Sequence, residues 1–129
     1  MAVNPDQFRA LGKAVRAFGG LDAFPCPAGV QEVTLTSDEV TALCPVTGQP
    51  DWYTVSIAYV PRERCIESKS LKLYLQSFRE EGIFAEAFAA RIANDVAAAL
   101  APATCQVTVT QKARGGITIE ATAVVDAAE

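Results

Sequence analysis

Hydrophobic and polar residues alternate in four stretches of the chain, which is the pattern of β-strands that bury one face. The clearest stretch is 52–60, where large hydrophobic residues alternate with small or polar ones until Pro61. Two stretches near the end of the chain flank Arg114-Gly115-Gly116, which predicts a β-hairpin. We therefore predict a loop over 37–51 and strands over 30–36, 52–60, 105–110 and 117–123.

Hydrophobic residues recur at helical spacing in three other stretches. The first helix is predicted over 5–18, with Asn4 as its cap. The second begins at a Ser68 or Ser70 cap, and the third covers 84–100. The apolar stripes of the first and third helices are Phe8, Leu11, Val15 and Phe18, and Phe84, Phe88, Ile92, Val96 and Leu100.

After the first helix, these elements follow in the order strand, strand, helix, helix, strand, strand. Two hairpins around a helix pair predict an α+β fold, in which a four-stranded antiparallel sheet carries both helices on one face. Such a sheet leaves two edge strands, and open edges are usually covered or paired. Pairing with neighbouring subunits would close a barrel, so we expect a cyclic homo-oligomer. We interpret residues 1–129 as one domain with an N-terminal extension over 1–29.

Composition and charge narrow the possible functions. The 129 residues carry a net charge of −4, which argues against a nucleic-acid partner because a phosphate backbone needs a clustered basic surface. No apolar run is long enough to cross a bilayer and no secretory signal is present, so we expect a cytoplasmic protein without a membrane partner. The chain has no histidine, which excludes histidine-dependent triads and histidine-containing zinc sites. Its four cysteines lack paired spacing, and we predict no metal site.

The segment Cys44–Asp51 is the first candidate for chemistry. A cysteine lies in a loop rich in proline and glycine, and an aspartate stands where the next strand begins. The thiol could act as a nucleophile, with the carboxyl group nearby for proton transfer. Alternatively, the cysteine is a small buried hydrophobic residue and the aspartate an ordinary turn residue. Spacing alone leaves both interpretations open.

The segment Glu67–Tyr74 is the second candidate. A serine-capped helix start in solvent would explain its serines, but it explains its lysines poorly. Lys69 and Lys72 lie at the positive end of the helix dipole, where cations are disfavoured. Hydroxyl groups, free backbone N–H groups and two cations together favour a bound anion, such as the phosphate of a cofactor or substrate.

Glu86 and Arg114 each allow two interpretations. Glu86 is either a favourable charge in the first turn of its helix or a carboxylate that binds the paired N–H edge of a purine-like ring. Arg114, together with Gly115, belongs either to a plain hairpin turn or to a phosphate contact.

Several motifs resemble those of the NADPH-dependent 7-cyano-7-deazaguanine reductases, the QueF family of nitrile reductases. Glu67–Tyr74 reads ESKSLKLY and is close to the family signature, and Cys44–Asp51 resembles the family's catalytic loop. The resemblance spans residues 21–123 in the family's order. Shorter matches are Leu21–Pro25, Ser77–Arg79 and Arg114–Ile117.

This resemblance implies a tunnelling fold in which subunits form a pentamer or a pair of pentamers, with active sites between subunits. It implies that Cys44 attacks the nitrile carbon to form a thioimide and that Asp51 protonates the nitrogen. NADPH would then deliver a hydride, the thiol would leave, and a second hydride would reduce the resulting imine, giving 7-aminomethyl-7-deazaguanine for queuosine biosynthesis. The implied substrate-binding residues are Ile66, Glu67, Ser68, Ala85 and Glu86. The implied cofactor-binding residues are Ser68, Lys69, Lys72, Arg114 and Gly115.

One position departs from the family pattern, which has histidine directly before the substrate-binding glutamate. Ala85 occupies that position here, and an alanine side chain can neither donate a hydrogen bond nor carry a proton. Two alternatives to nitrile reduction are kept. One is an amidinotransferase that acts on nitrile-modified tRNA, and the other is a non-catalytic oligomer that binds a deazapurine.

Overall fold

The computed structural model describes residue 3, residues 5–13 and residues 17–127. A four-stranded antiparallel sheet with the order β2-β3-β5-β6 forms its centre, and a two-stranded sheet pairs β1 with β4. The strands are β1 Ala23–Pro25, β2 Val33–Leu43, β3 Pro50–Val60, β4 Arg64–Ile66, β5 Thr104–Arg114 and β6 Ile117–Asp126. The helices are α1 Ser68–Gln76 and α2 Ala85–Leu100, with short 3-10 helices at Pro5–Gln7 and Ser77–Glu80.

The core lies between the sheet and the two helices, which confirms the predicted α+β fold. The inward-facing residues of β3, which are Tyr53, Val55, Ile57 and Tyr59, are all at most 1% exposed. Phe88 of α2 packs edge-to-face on Tyr53, with ring centroids 5.0 Å apart, and lies 4.8 Å from the ring of Phe78. Within the part of the chain that is described, no helix has the length and hydropathy needed to span a membrane.

The second strand is longer than predicted. β2 continues through Leu43, so the predicted loop over 37–51 shrinks to residues 44–49. Ser37 pairs with Val55 and Val40 pairs with Tyr53, which places three steps of β2 opposite two of β3 and forms a β-bulge. The bulge shifts the alternation by one residue, and this shift is why the sequence pattern seemed to end there.

Both helix starts differ from their predicted caps. The N-cap of α1 is Glu67, whose side chain accepts hydrogen bonds from backbone N–H groups, rather than Ser68 or Ser70. Phe84 is the N-cap of α2 and is 53% exposed, so it lies outside the apolar stripe to which it was assigned. Ala85 takes the first buried position instead.

The predicted helix over 5–18 is wrong in the residues that are described. Helical backbone is limited to the 3-10 turn Pro5–Gln7, and Gly12 adopts a left-handed conformation with φ of 75°. Phe8 is buried, whereas Leu11 is 42% exposed, so the apolar residues do not share one buried face. The predicted cap Asn4 and the face residue Val15 lie outside the described residues.

The connector before β2 contains a strand that the sequence pattern did not reveal. Ala23 pairs with Ile66 and Pro25 with Arg64, so three residues on each side form a short ladder. The backbone N–H of Glu67 continues this contact by donating to the carbonyl of Asp22 at 2.9 Å. This small sheet fixes the point at which α1 begins.

Candidate active site

The loop between β2 and β3 is closed by its own backbone. The N–H of Cys44 donates to the carbonyl of Gln49 at 2.8 Å, and the N–H of Gly48 donates to the carbonyl of Cys44 at 2.9 Å. The side chain of Cys44 is buried, with 4% of the residue exposed. Two strands and two hydrogen bonds therefore hold the sulfur at the end of the sheet.

The surroundings of Cys44 favour its thiolate. The Thr47 hydroxyl, followed by the backbone N–H groups of Thr47 and Val46, lowers the pKa of this thiol to about 7. Burial opposes this shift, and a hydrogen bond from Arg114 adds to it. A large share of the thiol is therefore ionised near neutral pH without the help of a histidine.

Asp51 lies at the start of β3, where the inward-facing positions of the strand reach the loop. It is 4% exposed, and its Oδ1 lies 3.1 Å from Nε of Arg114. The same guanidinium also helps to lower the pKa of the Cys44 thiol. The structure thus brings Cys44, Asp51 and Arg114 to one end of the sheet, and one cation pairs with the carboxylate and favours the thiolate.

The floor of this site is a buried pair that the sequence reasoning missed. The Tyr53 hydroxyl donates to Oε1 of Gln111 at 3.0 Å, and both side chains are buried. Burial raises the pKa of Tyr53 to about 12, with Asp51 and Glu86 adding to the rise and Arg114 opposing it. The alternation over 52–60 predicts that Tyr53 faces the core but does not reveal this hydrogen bond. A glutamine at an inward-facing position of β5 was a signal that the core ends there.

The segment after α1 brings Glu86 to this end of the sheet. The N–H of Leu43 donates to the carbonyl of Glu81 at 2.9 Å, and the N–H of Ile83 donates to the carbonyl of Leu43 at 3.0 Å. These bonds fix the start of α2 beside the cysteine loop. Ala85 is 1% exposed, and Glu86 is exposed in the first turn.

The turn of the β5–β6 hairpin consists of two glycines. Gly115 and Gly116 have φ values of 59° and 79°, which suit a two-residue type I′ turn and strain other residues. Arg114 is the last residue of β5 rather than part of the turn. Gly115 therefore directly follows the residue that contacts Asp51.

Glu67 is engaged in holding the start of α1. Its Oε2 accepts a hydrogen bond from the N–H of Lys69 at 2.6 Å, and its Oε1 accepts one from the N–H of Ser70 at 2.8 Å. Glu67 and Ile66 are buried, whereas Ser68 is exposed. The carboxylate thus occupies the N–H groups that the sequence analysis assigned to a bound anion.

The two lysines of this segment have different surroundings. The Lys69 ammonium donates to the carbonyl of Ala10 at 2.9 Å and to the carbonyl of Lys13. Lys72 is exposed, and with Ser68 it lines a groove of about 200 Å³ between α1 and β2. Lys72 is therefore open to a ligand, whereas Lys69 is engaged by the N-terminal segment.

The residues that the sequence analysis selected form two groups in one chain. Cys44, Asp51, Ala85, Glu86, Arg114 and Gly115 lie at one end of the sheet. Ile66, Glu67, Ser68, Lys69 and Lys72 surround the start of α1. The two groups lie at opposite ends of α1, whose nine residues form a helix about 13 Å long. The second group surrounds its start, whereas the strand end that carries the cysteine loop contacts the segment beyond its C-terminus. No described contact joins the two groups within one protomer.

Together, the fold and this site define an α+β protein with a buried thiol of lowered pKa near a buried carboxylate, in a chain without histidine. Residues 50–129 match the family model described as QueF-like protein, and the chain belongs to this family. A crystal structure described as the archaeosine synthase QueF-Like in the apo form shares the fold, with a TM-score of 0.71 and 26% identity over 78% of this chain and 98% of that one.

Several more similar relatives are each named NADPH-dependent 7-cyano-7-deazaguanine reductase. The protein of Frankia casuarinae is 51% identical over 82% of this chain and 85% of its own length. That of Anaeromyxobacter dehalogenans is 52% identical over 72% of this chain and 76% of its own length. That of Syntrophus aciditrophicus is 46% identical over 84% of this chain and 79% of its own length.

Proposed function

We propose that this protein uses NADPH to reduce the nitrile of 7-cyano-7-deazaguanine to 7-aminomethyl-7-deazaguanine, in queuosine biosynthesis in the cytoplasm. The observation that carries the proposal is the ionisable Cys44 thiol, joined to the buried Asp51 carboxylate through Arg114. The names of relatives with 46–52% identity supply the substrate and the cofactor.

In the first step, the Cys44 sulfur attacks the nitrile carbon. A carbon–sulfur bond forms, one π bond of the nitrile breaks, and the nitrogen takes a proton, so the product is a thioimide. We assign to Asp51 the transfer of the thiol proton to the nitrogen, because its buried carboxylate lies at the same end of the sheet and is held there by Arg114. Covalent capture gives the carbon a neutral C=N bond that accepts hydride more readily than a nitrile.

We assign the recognition of the deazaguanine ring to the carboxylates of Glu86 and Glu67. Glu86 is exposed at the cysteine end, and its carboxylate can accept hydrogen bonds from two N–H groups of a deazaguanine ring. Ala85 has no polar atom to add, so we assign this recognition to Glu86 alone within this turn. Ile66, Glu67 and Ser68 would complete the pocket from a second subunit.

The residues around the start of α1 fit a phosphate-bearing cofactor. Lys72 and Ser68 line the groove beside β2, where an ammonium and a hydroxyl can both donate to phosphate oxygens. Lys69 can join them once it leaves its backbone partners. Two NADPH molecules, bound one after the other, would each supply one hydride of the reaction. Arg114 and Gly115, which belong to the group at the cysteine end of the sheet, would also contact the cofactor.

A homo-oligomer, as a pentamer or a pair of pentamers, would bring the two groups together. Within one chain, the start of α1 and the cysteine loop lie at opposite ends of the helix. The outer strands β2 and β6 each have one free edge in the sheet order. Pairing β2 of one subunit with β6 of the next would place the groove that Lys72 lines beside β2 at the junction between subunits.

The decisive experiment is mass spectrometry after mixing the protein with 7-cyano-7-deazaguanine in the absence of NADPH. We expect a gain equal to the full mass of the nitrile compound, located on the peptide that contains Cys44. Cys44→Ala should lose the adduct and the turnover, whereas Cys26→Ala, at a half-buried position outside the site, should keep both. Unmodified Cys44 together with absent turnover would refute the proposal.

The archaeosine synthase structure supports a second candidate function. In an amidinotransferase, the same thioimide would be attacked by ammonia on a nitrile-modified tRNA. Adduct formation without NADPH oxidation, together with amidine formation on that RNA, would favour this candidate. An unaltered thiol in a protein that still binds the deazapurine would favour a non-catalytic binding role.

A further inference from the structure

A second β-bulge lies in β5, next to the candidate active site. Gln111 pairs with Ile119 and Arg114 pairs with Ile117, so three steps along β5 face two along β6. In an unbroken ladder, Ala113 would pair with Ile117 instead. Because side chains alternate between the two faces of a sheet, the extra residue moves Arg114 from the outer face to the inner one.

The inner face at this level is where the reactive groups are found. Tyr53 pairs with Gln111, and Asp51 lies two residues earlier on the same face of β3. Arg114 is half exposed at its side chain, yet its Nε lies 3.1 Å from the buried Asp51 carboxylate. The same guanidinium also helps to lower the pKa of the Cys44 thiol, so it acts on both groups of the proposed first step.

The charges around Cys44 come from three elements. Asp51 of β3 and Glu86 of α2 both act on the neighbouring Tyr53 hydroxyl, and Arg114 of β5 contacts Asp51. Arg114 is the only cation in this set among the described residues. A cation near a thiol favours its thiolate, because the charged form is stabilised by an opposite charge.

We propose that Arg114 is a positioning residue for the nucleophile: its guanidinium holds the Asp51 carboxylate beside the Cys44 sulfur and keeps that sulfur in its attacking form. This inference rests on the proposed role of Cys44. It assigns Arg114 a task in the free enzyme, before any cofactor binds.

The test measures alkylation of the free protein by iodoacetamide as a function of pH, with the Cys44 peptide followed by mass spectrometry. For Arg114→Gln, we expect a higher midpoint pH and an alkylation rate at pH 7 that is about two- to fivefold lower. Arg114→Lys should lie between this variant and the unchanged protein, because an ammonium keeps the charge but lacks the planar fork. Lys112→Gln is the matched control, since it removes a cation from an exposed position of the same strand.

An unchanged midpoint in Arg114→Gln would overturn the inference, and so would an equal shift in Lys112→Gln. Circular dichroism checks that each variant is folded. If Arg114→Gln fails to fold, Arg114→Lys decides the question, and a midpoint equal to that of the unchanged protein overturns the inference. The measurement needs neither substrate nor cofactor, so a failure of the proposed reductase activity would leave its outcome readable.

Discussion

The backbone N–H of Cys44 donates to the carbonyl of Gln49 at 2.8 Å, which closes the loop that carries the thiol. The closed loop turns the hydroxyl and the backbone N–H of Thr47 toward the sulfur, and these two groups lower the pKa of the thiol more than any other. The reactivity of Cys44 is therefore set first by its own loop and only then by more distant charges.

Thr47→Ala should weaken this effect and raise the pKa of Cys44 from about 7 toward its ordinary value of 9.0. The thiolate, which forms as the pH rises, would then appear at a higher pH. We expect the midpoint of Cys44 alkylation to move upward by about one pH unit. Thr47→Ser keeps the hydroxyl and should alkylate like the unchanged protein. Equal midpoints for the alanine and serine variants would contradict the assignment.

Asp51→Asn should remove the group that moves the proton between sulfur and nitrogen. We expect the turnover of 7-cyano-7-deazaguanine to fall by about 10²- to 10⁴-fold, as is typical when a general acid–base group is lost. NADPH oxidation followed by absorbance measures this rate. Asp38→Asn, in the exposed bulge of β2, serves as the control and should keep its rate. Comparable rates for the two variants would rule out the proton-transfer role.

Glu67→Ala should destabilise the protein because the N–H groups of Lys69 and Ser70 lose their acceptor. We expect the free energy of unfolding, measured with urea, to fall by about 1–2 kcal/mol. Glu67→Asp should retain most of this stability, since aspartate is a strong N-cap residue. Glu63→Ala is the control for the loss of an exposed carboxylate. Unfolding of Glu67→Ala at the same urea concentration as the unchanged protein would show that the cap contributes nothing.

Ala85→His would introduce the imidazole that the family pattern has at this position. Because Ala85 is 1% exposed, the larger side chain should lower the free energy of unfolding by about 1–3 kcal/mol. The neighbouring Ala87 is exposed, so Ala87→His should have little effect. The measurement is urea unfolding of both variants without ligand. If Ala85→His were as stable as the unchanged protein, space for an imidazole ring would already exist beside α2.

The regular elements could be predicted because their patterns are unbroken. The alternation over 52–60 and the stripe from Phe88 to Leu100 correspond to β3 and α2, and both are central to the core. β2 was cut short in the prediction because its bulge reverses the alternation after Ser37. The prediction of a helix over 5–18 is wrong because apolar residues at helical spacing are not always buried on one face.

The candidate site was predictable only as far as its motifs are local. Cys44 and Asp51 belong to one loop, so their proximity follows from the hairpin. The contact between Arg114 and Asp51 joins residues far apart in the sequence and depends on a bulge in β5, which the residue pattern did not reveal. The role of Glu67 as N-cap was missed because the adjacent serines are stronger capping residues than glutamate.

The hydrogen bonds of the Lys69 ammonium have a consequence for ligand affinity. An ammonium has three N–H donors, and the carbonyls of Ala10 and Lys13 already accept from two of them. A phosphate that binds Lys69 must displace these carbonyls, so the N-terminal segment acts as an internal competitor for the cation. Shortening the chain at this end would therefore change anion affinity even though it removes no residue that contacts the anion.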